Sequence, residues 1–185
     1  PIDNGSHTDM DAGTFMRSLF ALRHYFIQIA HAGAQSASFS VLKALGMQAE
    51  KRMLLATGGI NTHRGAILSM GLLCAAAGHC HAQGLPWSAM RQVLRRLWGE
   101  DLQTHAMPPV AGMSNGIRVA HLYAVGGARA EAAQGFPAVF EIGVPQLQLS
   151  LTNGRTASDA QVDALFSLMA QMTDTNVYHR GGSDG

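Results

Sequence analysis

From Thr62 to about His81 nearly every position is apolar, and many of the residues are Ala or Gly. A helix that is hydrophobic all round has no face for water, so it must be enclosed by other helices, and small residues let their backbones come close. This run predicts a central helix, and the flanking sequence supplies partners for it. Phe15, Leu19, Leu22, Phe26 and Ile29 recur at spacings of four and three, which predicts an amphipathic helix from about residue 11 to 31 with that stripe on the core. Phe39, Leu42, Leu45, Ala49 and Met53 repeat the pattern in a second helix that ends at Gly58-Gly59.

Downstream, Pro86 suits the first position of a helix in which Trp87, Met90, Leu94 and Leu97 mark one face and Arg91, Arg95 and Arg96 a solvated one. After Pro108-Pro109 another helix is expected from Asn115 to Ala133, and Pro137 starts the next. Pro145 should interrupt that one, so Val144 to Leu151 reads as helix or, from its alternating leucines, as strand. Ser158 with Gln161 resembles a capping box ahead of Val162, Leu165, Phe166, Met169 and Met172. The expected architecture is all-α: a single-domain bundle of about seven or eight helices spanning residues 1–185, with no internal repeat or low-complexity linker.

A chain of 185 residues with 47% hydrophobic content can bury a real core. Its formal net charge of +1, with 14% charged residues, argues against a broad nucleic-acid footprint or a polybasic membrane patch, so any anion site must be local. The longest apolar candidate, Ala66 to Ala77, is short for a membrane span, and two cysteines without a secretory leader suggest a reducing, cytoplasmic setting.

One such local site is suggested by Ala56-Thr57-Gly58-Gly59-Ile60-Asn61-Thr62-His63-Arg64-Gly65, where glycines, polar donors and a cation meet at the start of the apolar helix. Two glycines admit unusual backbone conformations, Asn61 or Thr62 can cap the helix, and His63 and Arg64 fall in its first turn. Free amide hydrogens and the positive end of a helix dipole favour phosphate there. The GxxxxGK[ST] spacing of a P-loop is absent. Other polar clusters also sit at helix ends: Asp9 and Asp11, Arg129 and Glu131, and Asp174, Asn176, His179 and Arg180. Asp9 and Asp11 offer hard oxygens suited to magnesium shared with phosphates, while Asp11 alone could simply cap a helix. Glu131 reads as a structural partner of an arginine or as a base. Cys74, His79, Cys80 and His81 invite a zinc reading, but helical geometry scatters them.

The segment TGGINTHRGAILSMGLLCAAAG (Thr57 to Gly78) closely resembles the signature of the triphosphoribosyl-dephospho-coenzyme A synthases, which make the prosthetic-group precursor of citrate lyase and malonate decarboxylase. NGSHTDMD (Asn4 to Asp11), GGARAEAAQGFP (Gly126 to Pro137) and DTNVYHRGG (Asp174 to Gly182) match the same family in the same order. Relative to that family the chain looks like a fragment or a trimmed domain.

The resemblance implies a transferase that joins the anomeric carbon of the ATP ribose to the 2'-hydroxyl of 3'-dephospho-coenzyme A and releases adenine. It also implies a functional link to the acyl carrier subunit of one of the two lyase systems, with Tyr178-His179 leaning toward malonate decarboxylase; a homodimer is the expected assembly. On this expectation Gly58, Gly59, Asn61, Thr62, Arg64, Arg129, Asn176, His179 and Arg180 contact substrate or phosphate, and Asp9 and Asp11 hold magnesium. Glu131 or Asp174 activates the hydroxyl, and His63 serves as acid or phosphate donor. All should line one pocket. A magnesium-dependent nucleotide hydrolase and a non-catalytic nucleotide-binding helical module are the competing readings.

Overall fold

A computed structural model describes residues 9–106 and 130–171. It is all-α as expected, with no strand among the described residues. The helices are α1 (Ala12–Ala34), α2 (Phe39–Ala56), α3 (Arg64–Ala82), α4 (Met90–Ala106), α5 (Val144–Thr152) and α6 (Ala157–Gln171). A 3₁₀ turn, Trp87–Ala89, precedes α4, and a π-helical segment, Ala138–Gly143, precedes α5. The chain divides into two compact units, Pro1–Trp98 and Gly99–Gly185.

In the first unit α1 is the shared element, packing most extensively on α3 and next on α2. The α1–α3 approach is set by missing side chains. A Cβ on Gly33 would lie 1.9 Å from the Ala75 carbonyl oxygen, and one on Gly78 would lie 2.1 Å from that of Ala30. Gly71 makes room in the same way for the Tyr25 ring, whose hydroxyl donates to the Ile67 carbonyl at 2.7 Å. Burial pushes that phenol well above its ordinary pKa. Trp98, also buried, donates from Nε1 to the Ala37 carbonyl at 2.9 Å.

This close contact rotates α1 relative to the expected stripe. The buried residues are Thr14, Ser18, Leu22, Tyr25, Ile29, Ala32 and Gly33, whereas Phe15 and Leu19 are 36% and 48% exposed. On this face Ala30 and Gly33 meet α3 backbone to backbone, and where the bulkier Tyr25 and Ile29 face it a glycine, Gly71, receives them. α2 buries Phe39, Leu42, Ala49 and Met53 as expected, with Leu45 only half-buried.

α3, with 19 residues and a mean hydropathy of 1.3, is long and apolar enough to cross a membrane by length and composition, with 39% of it buried in the protein. That corrects the shorter Ala66 to Ala77 estimate. Pro86 also departs from expectation, because it precedes the 3₁₀ turn in extended conformation (φ −67°, ψ 155°) and Trp87 is 66% exposed.

In the second unit Ala130–Ala133 is helical, the described end of the helix expected from Asn115. Pro145 does not break the chain: the π-helical segment runs directly into α5, with Pro145 in its first turn. The backbone stays helical through Pro145, so the strand alternative for Val144 to Leu151 is not realised. α6 starts one residue before Ser158, and Thr156 Oγ1 accepts from the Asp159 amide at 3.2 Å, replacing the expected Ser158 cap. Its buried residues are Ala160 and Ala164, while Val162, Leu165, Phe166 and Met169 are exposed. α5 and α6 are clasped through Asp163, which takes both Arg155 Nε and Nη2 at 3.0 Å and the buried Ser150 hydroxyl at 2.8 Å.

Candidate functional site

The turn between α2 and α3 is built from both ends. Gly58 and Gly59 adopt φ of +67° and +91°, and the Gly59 amide reaches back to the Leu54 carbonyl at 2.7 Å, the six-to-one bond of a Schellman stop. Open space lies beside both glycines, so conformation and not crowding calls for them. The buried Thr57 hydroxyl lies 2.9 Å from the Met53 carbonyl and 2.6 Å from that of Ile60, tying the turn to the helix it leaves. On the far side Asn61 Oδ1 accepts from the Arg64 amide at 3.1 Å, so Asn61 is the capping side chain of the two foreseen. The Gly59, His63 and Arg64 amides are therefore spent on the turn's own architecture.

Thr62 and His63 turn inward. Thr62 Oγ1 donates to Ser18 Oγ at 2.6 Å, and Ser18 Oγ lies 2.7 Å from His63 Nδ1. The Phe15 ring meets the imidazole edge-on at a centroid distance of 4.8 Å, and the His63 amide donates to Met53 Sδ at 3.2 Å. Burial lowers the imidazole pKa, because the charged form loses hydration. Arg64 turns outward and pairs with Glu50, its Nε donating to Oε1 at 2.6 Å and Nη2 to the same oxygen. With side chains 62% and 29% exposed, this pair is a weak tether that an incoming anion can replace.

Asp11 caps α1. Its Oδ1 accepts from the Thr14 amide at 2.7 Å and the Thr14 hydroxyl at 2.8 Å, and these two bonds, the amide first, hold its carboxyl below the ordinary range. The capping alternative is thus realised. Two carboxylates and substrate phosphates form a donor set suited to magnesium. Among the described residues no group of three or more His, Cys, Asp or Glu is arranged to hold a metal ion. Of the set considered for zinc, His79 Nδ1 is 3.1 Å from Ser36 Oγ, and burial raises the Cys74 and Cys80 thiols.

Around this end of the first unit lie residues that sequence reasoning passed over. Ser18 is wholly buried, Glu50 holds Arg64, and Arg17 bonds Thr14 Oγ1 at 3.1 Å and the Ala56 carbonyl at 3.3 Å. Arg52, one turn before Ala56 on the same flank of α2, has Nε and Nη2 buried without a hydrogen-bond partner among the described residues. The available signal was a polar residue on a buried spacing: Thr14, Ser18 and Leu22 are four apart.

Asp9, Asp11, Gly58, Gly59, Asn61, Thr62, His63 and Arg64 all belong to the first unit. Glu131 belongs to the second, half-buried in the helical turn that ends at Ala133, and its carbonyl accepts from the Phe136 amide at 2.7 Å. Arg129, Asp174, Asn176, His179 and Arg180 lie outside the described residues.

A family profile described as ATP:dephospho-CoA triphosphoribosyl transferase (CitG) matches residues 1–185. A protein of Azotobacter vinelandii named probable 2-(5''-triphosphoribosyl)-3'-dephosphocoenzyme-A synthase is 40% identical over 187 residues, covering 98% of this chain and 63% of the relative. An Acinetobacter calcoaceticus protein of the same name is 36% identical over 184 residues, covering 98% and 62%. One from Pectobacterium atrosepticum, named 2-(5''-triphosphoribosyl)-3'-dephosphocoenzyme-A synthase, is 37% identical over 198 residues, covering 99% and 64%. The chain thus spans a little under two thirds of the length of these relatives, and no solved structure matches it. With the profile matching from the first residue to the last, the chain belongs to the ATP:dephospho-CoA triphosphoribosyl transferase family.

Proposed function

We propose that this chain carries much of the active site of an enzyme that transfers the triphosphoribosyl group of ATP to the 2'-hydroxyl of 3'-dephospho-coenzyme A, releasing adenine. The observation that carries the reading is the α2–α3 turn of a chain in this family. There a Schellman stop and an Asn61 cap hold His63 and Arg64 together at the start of an apolar helix. Such a helix start favours a polyanion, and Arg64 adds a forked donor once released from Glu50.

The transfer forms a bond from the 2'-oxygen to the anomeric carbon and breaks that carbon's bond to adenine; the hydroxyl proton goes to a base and adenine leaves with a proton. Arg64, the first-turn amides of Gly65 and Ala66, and the Gly58-Gly59 segment serve the triphosphate, with Arg129, Asn176, His179 and Arg180. Arg52, a guanidinium with buried unpartnered donors, is a further candidate for an anionic ligand. Glu131 or Asp174 is the base. Asp9 and Asp11 would hold magnesium, which supplies charge neutralisation of the phosphates. Holding two large substrates in register accounts for much of the rate, as effective molarities contribute roughly 7–11 kcal/mol. A cytoplasmic setting, a homodimer and a product destined for the acyl carrier subunit of malonate decarboxylase or citrate lyase complete the proposal.

The test is product analysis. Full-length protein given ATP, magnesium and 3'-dephospho-coenzyme A should release adenine in step with a heavier, triphosphate-bearing coenzyme product. Chromatography showing ADP or phosphate in place of adenine points to a hydrolase, and binding without turnover points to a non-catalytic module.

A further inference from the structure

Ser18 is the most buried polar side chain of α1, at 0% exposure, and both its hydrogen-bond partners lie in the turn before α3. Thr62 Oγ1, 2.6 Å from Ser18 Oγ, is also 3.1 Å from His63 Nδ1, so the three polar atoms form a triangle closed by the 2.7 Å Ser18–His63 contact.

The hydrogens in this triangle can be counted. Each hydroxyl brings one hydrogen, and a buried hydroxyl that fails to donate is costly. Thr62, which is only part-buried, donates to Ser18 Oγ. The fully buried Ser18 then has one acceptor left for its own hydrogen, His63 Nδ1. A hydrogen on Nδ1 would leave the Ser18 hydrogen without an acceptor among the described residues. The neutral imidazole therefore carries its hydrogen on Nε2. Phe15 packs against the ring at an interplanar angle of 66°, which resists rotation, and the Met53 sulfur anchors the His63 backbone.

We propose that Ser18 is a positioning residue that fixes His63 as an Nε2–H hydrogen-bond donor to the nucleotide. With Nδ1 occupied by the Ser18 hydroxyl, the ring's remaining role is donation from Nε2. The substrate role rests on the transferase reading above. In that reaction the acceptors on ATP are phosphate oxygens and the ring nitrogens of the departing purine, and proton removal from the 2'-hydroxyl falls to a carboxylate.

The experiment is nitrogen-15 NMR of the full chain with histidine-selective labelling, His63 being assigned by the signal lost in His63→Gln. At neutral pH the His63 Nδ1 should resonate in the pyridine-like range and Nε2 in the pyrrole-like range. Ser18→Ala, which removes a single oxygen, should bring up a population with Nδ1 protonated and lower kcat/KM for ATP by about tenfold. Inorganic triphosphate shifting Nε2–H assigns the donor to phosphate, and adenine shifting it assigns the donor to the base. A pyrrole-like Nδ1 in the wild type, an unchanged tautomer in Ser18→Ala, or no response to either probe overturns the proposal. The tautomer is read without turnover, so a failure of the transferase reading, seen as absence of adenine release, leaves this result standing on its own.

Discussion

Gly33→Ala should unfold this protein more easily, although alanine is the better helix former. The new Cβ would lie 1.9 Å from the Ala75 carbonyl oxygen and 2.5 Å from its carbon, whereas ordinary contact begins at 3.4 Å. The obstacle is backbone, so no rotamer change relieves it. α1 and α3 must separate by roughly 1–1.5 Å, a gap that forfeits about half or more of each dispersion contact along the seam. Overpacking of this kind costs about 1–3 kcal/mol or more, and the clash with a carbonyl places it at the upper end. Helix propensity returns about 1 kcal/mol, which leaves a net loss of about 2 kcal/mol. Gly65→Ala is the counterpart: open space surrounds Gly65 in the first turn of α3, so the same substitution should stabilise by about 0.5–1 kcal/mol. Urea titration followed by the fluorescence of Trp98, buried in the same unit, measures both. Gly33→Ala matching the wild type within about 0.5 kcal/mol at unchanged m-value would refute the close-packed seam.

Two further outcomes are expected. Arg64→Ala should weaken ATP binding by about 1.5–3 kcal/mol in calorimetry while Arg96→Ala, on the solvated face of α4, does little; equal losses would show that the division between site and surface arginines is wrong. Asp163 has a carboxyl held below its ordinary pKa, first by Arg155 and then by Ser150, so its contribution to stability is present above the unfolded value near 4 and is lost as pH falls through the folded value. The stability gap between wild type and Asp163→Asn should therefore narrow below about pH 4, and a gap that widens in acid would reverse the sign of this argument.

Much of the fold was legible without coordinates. Apolar spacing located α1 and α2 to within a few residues and named α3 as the apolar helix, because a period of 3.6 is a property of local sequence. The Gly58-Gly59 stop was equally readable, since positive φ in two successive residues is a demand that glycine meets locally. Asn61 and Thr62 were both candidates for the cap, and the sequence alone left them equal.

What the tertiary structure decided follows from which surfaces could approach. Leu22 and Ile29 fit either of two neighbouring stripes on α1, and only the fit of Gly33 against Ala75 and of Ala30 against Gly78 chose the one that buries Ser18 and leaves Phe15 half out. Pro145 could have ended a helix, and its place just after a π-helical segment decided that it did not. Ser18 and His63 are 45 residues apart in the chain, and no spacing rule joins them. Local periodicity determines which residues form a helix and roughly which half of it is apolar. The rotation of that helix by one position, and so the polar atoms it delivers to a distant histidine, is settled by steric fit against a second helix.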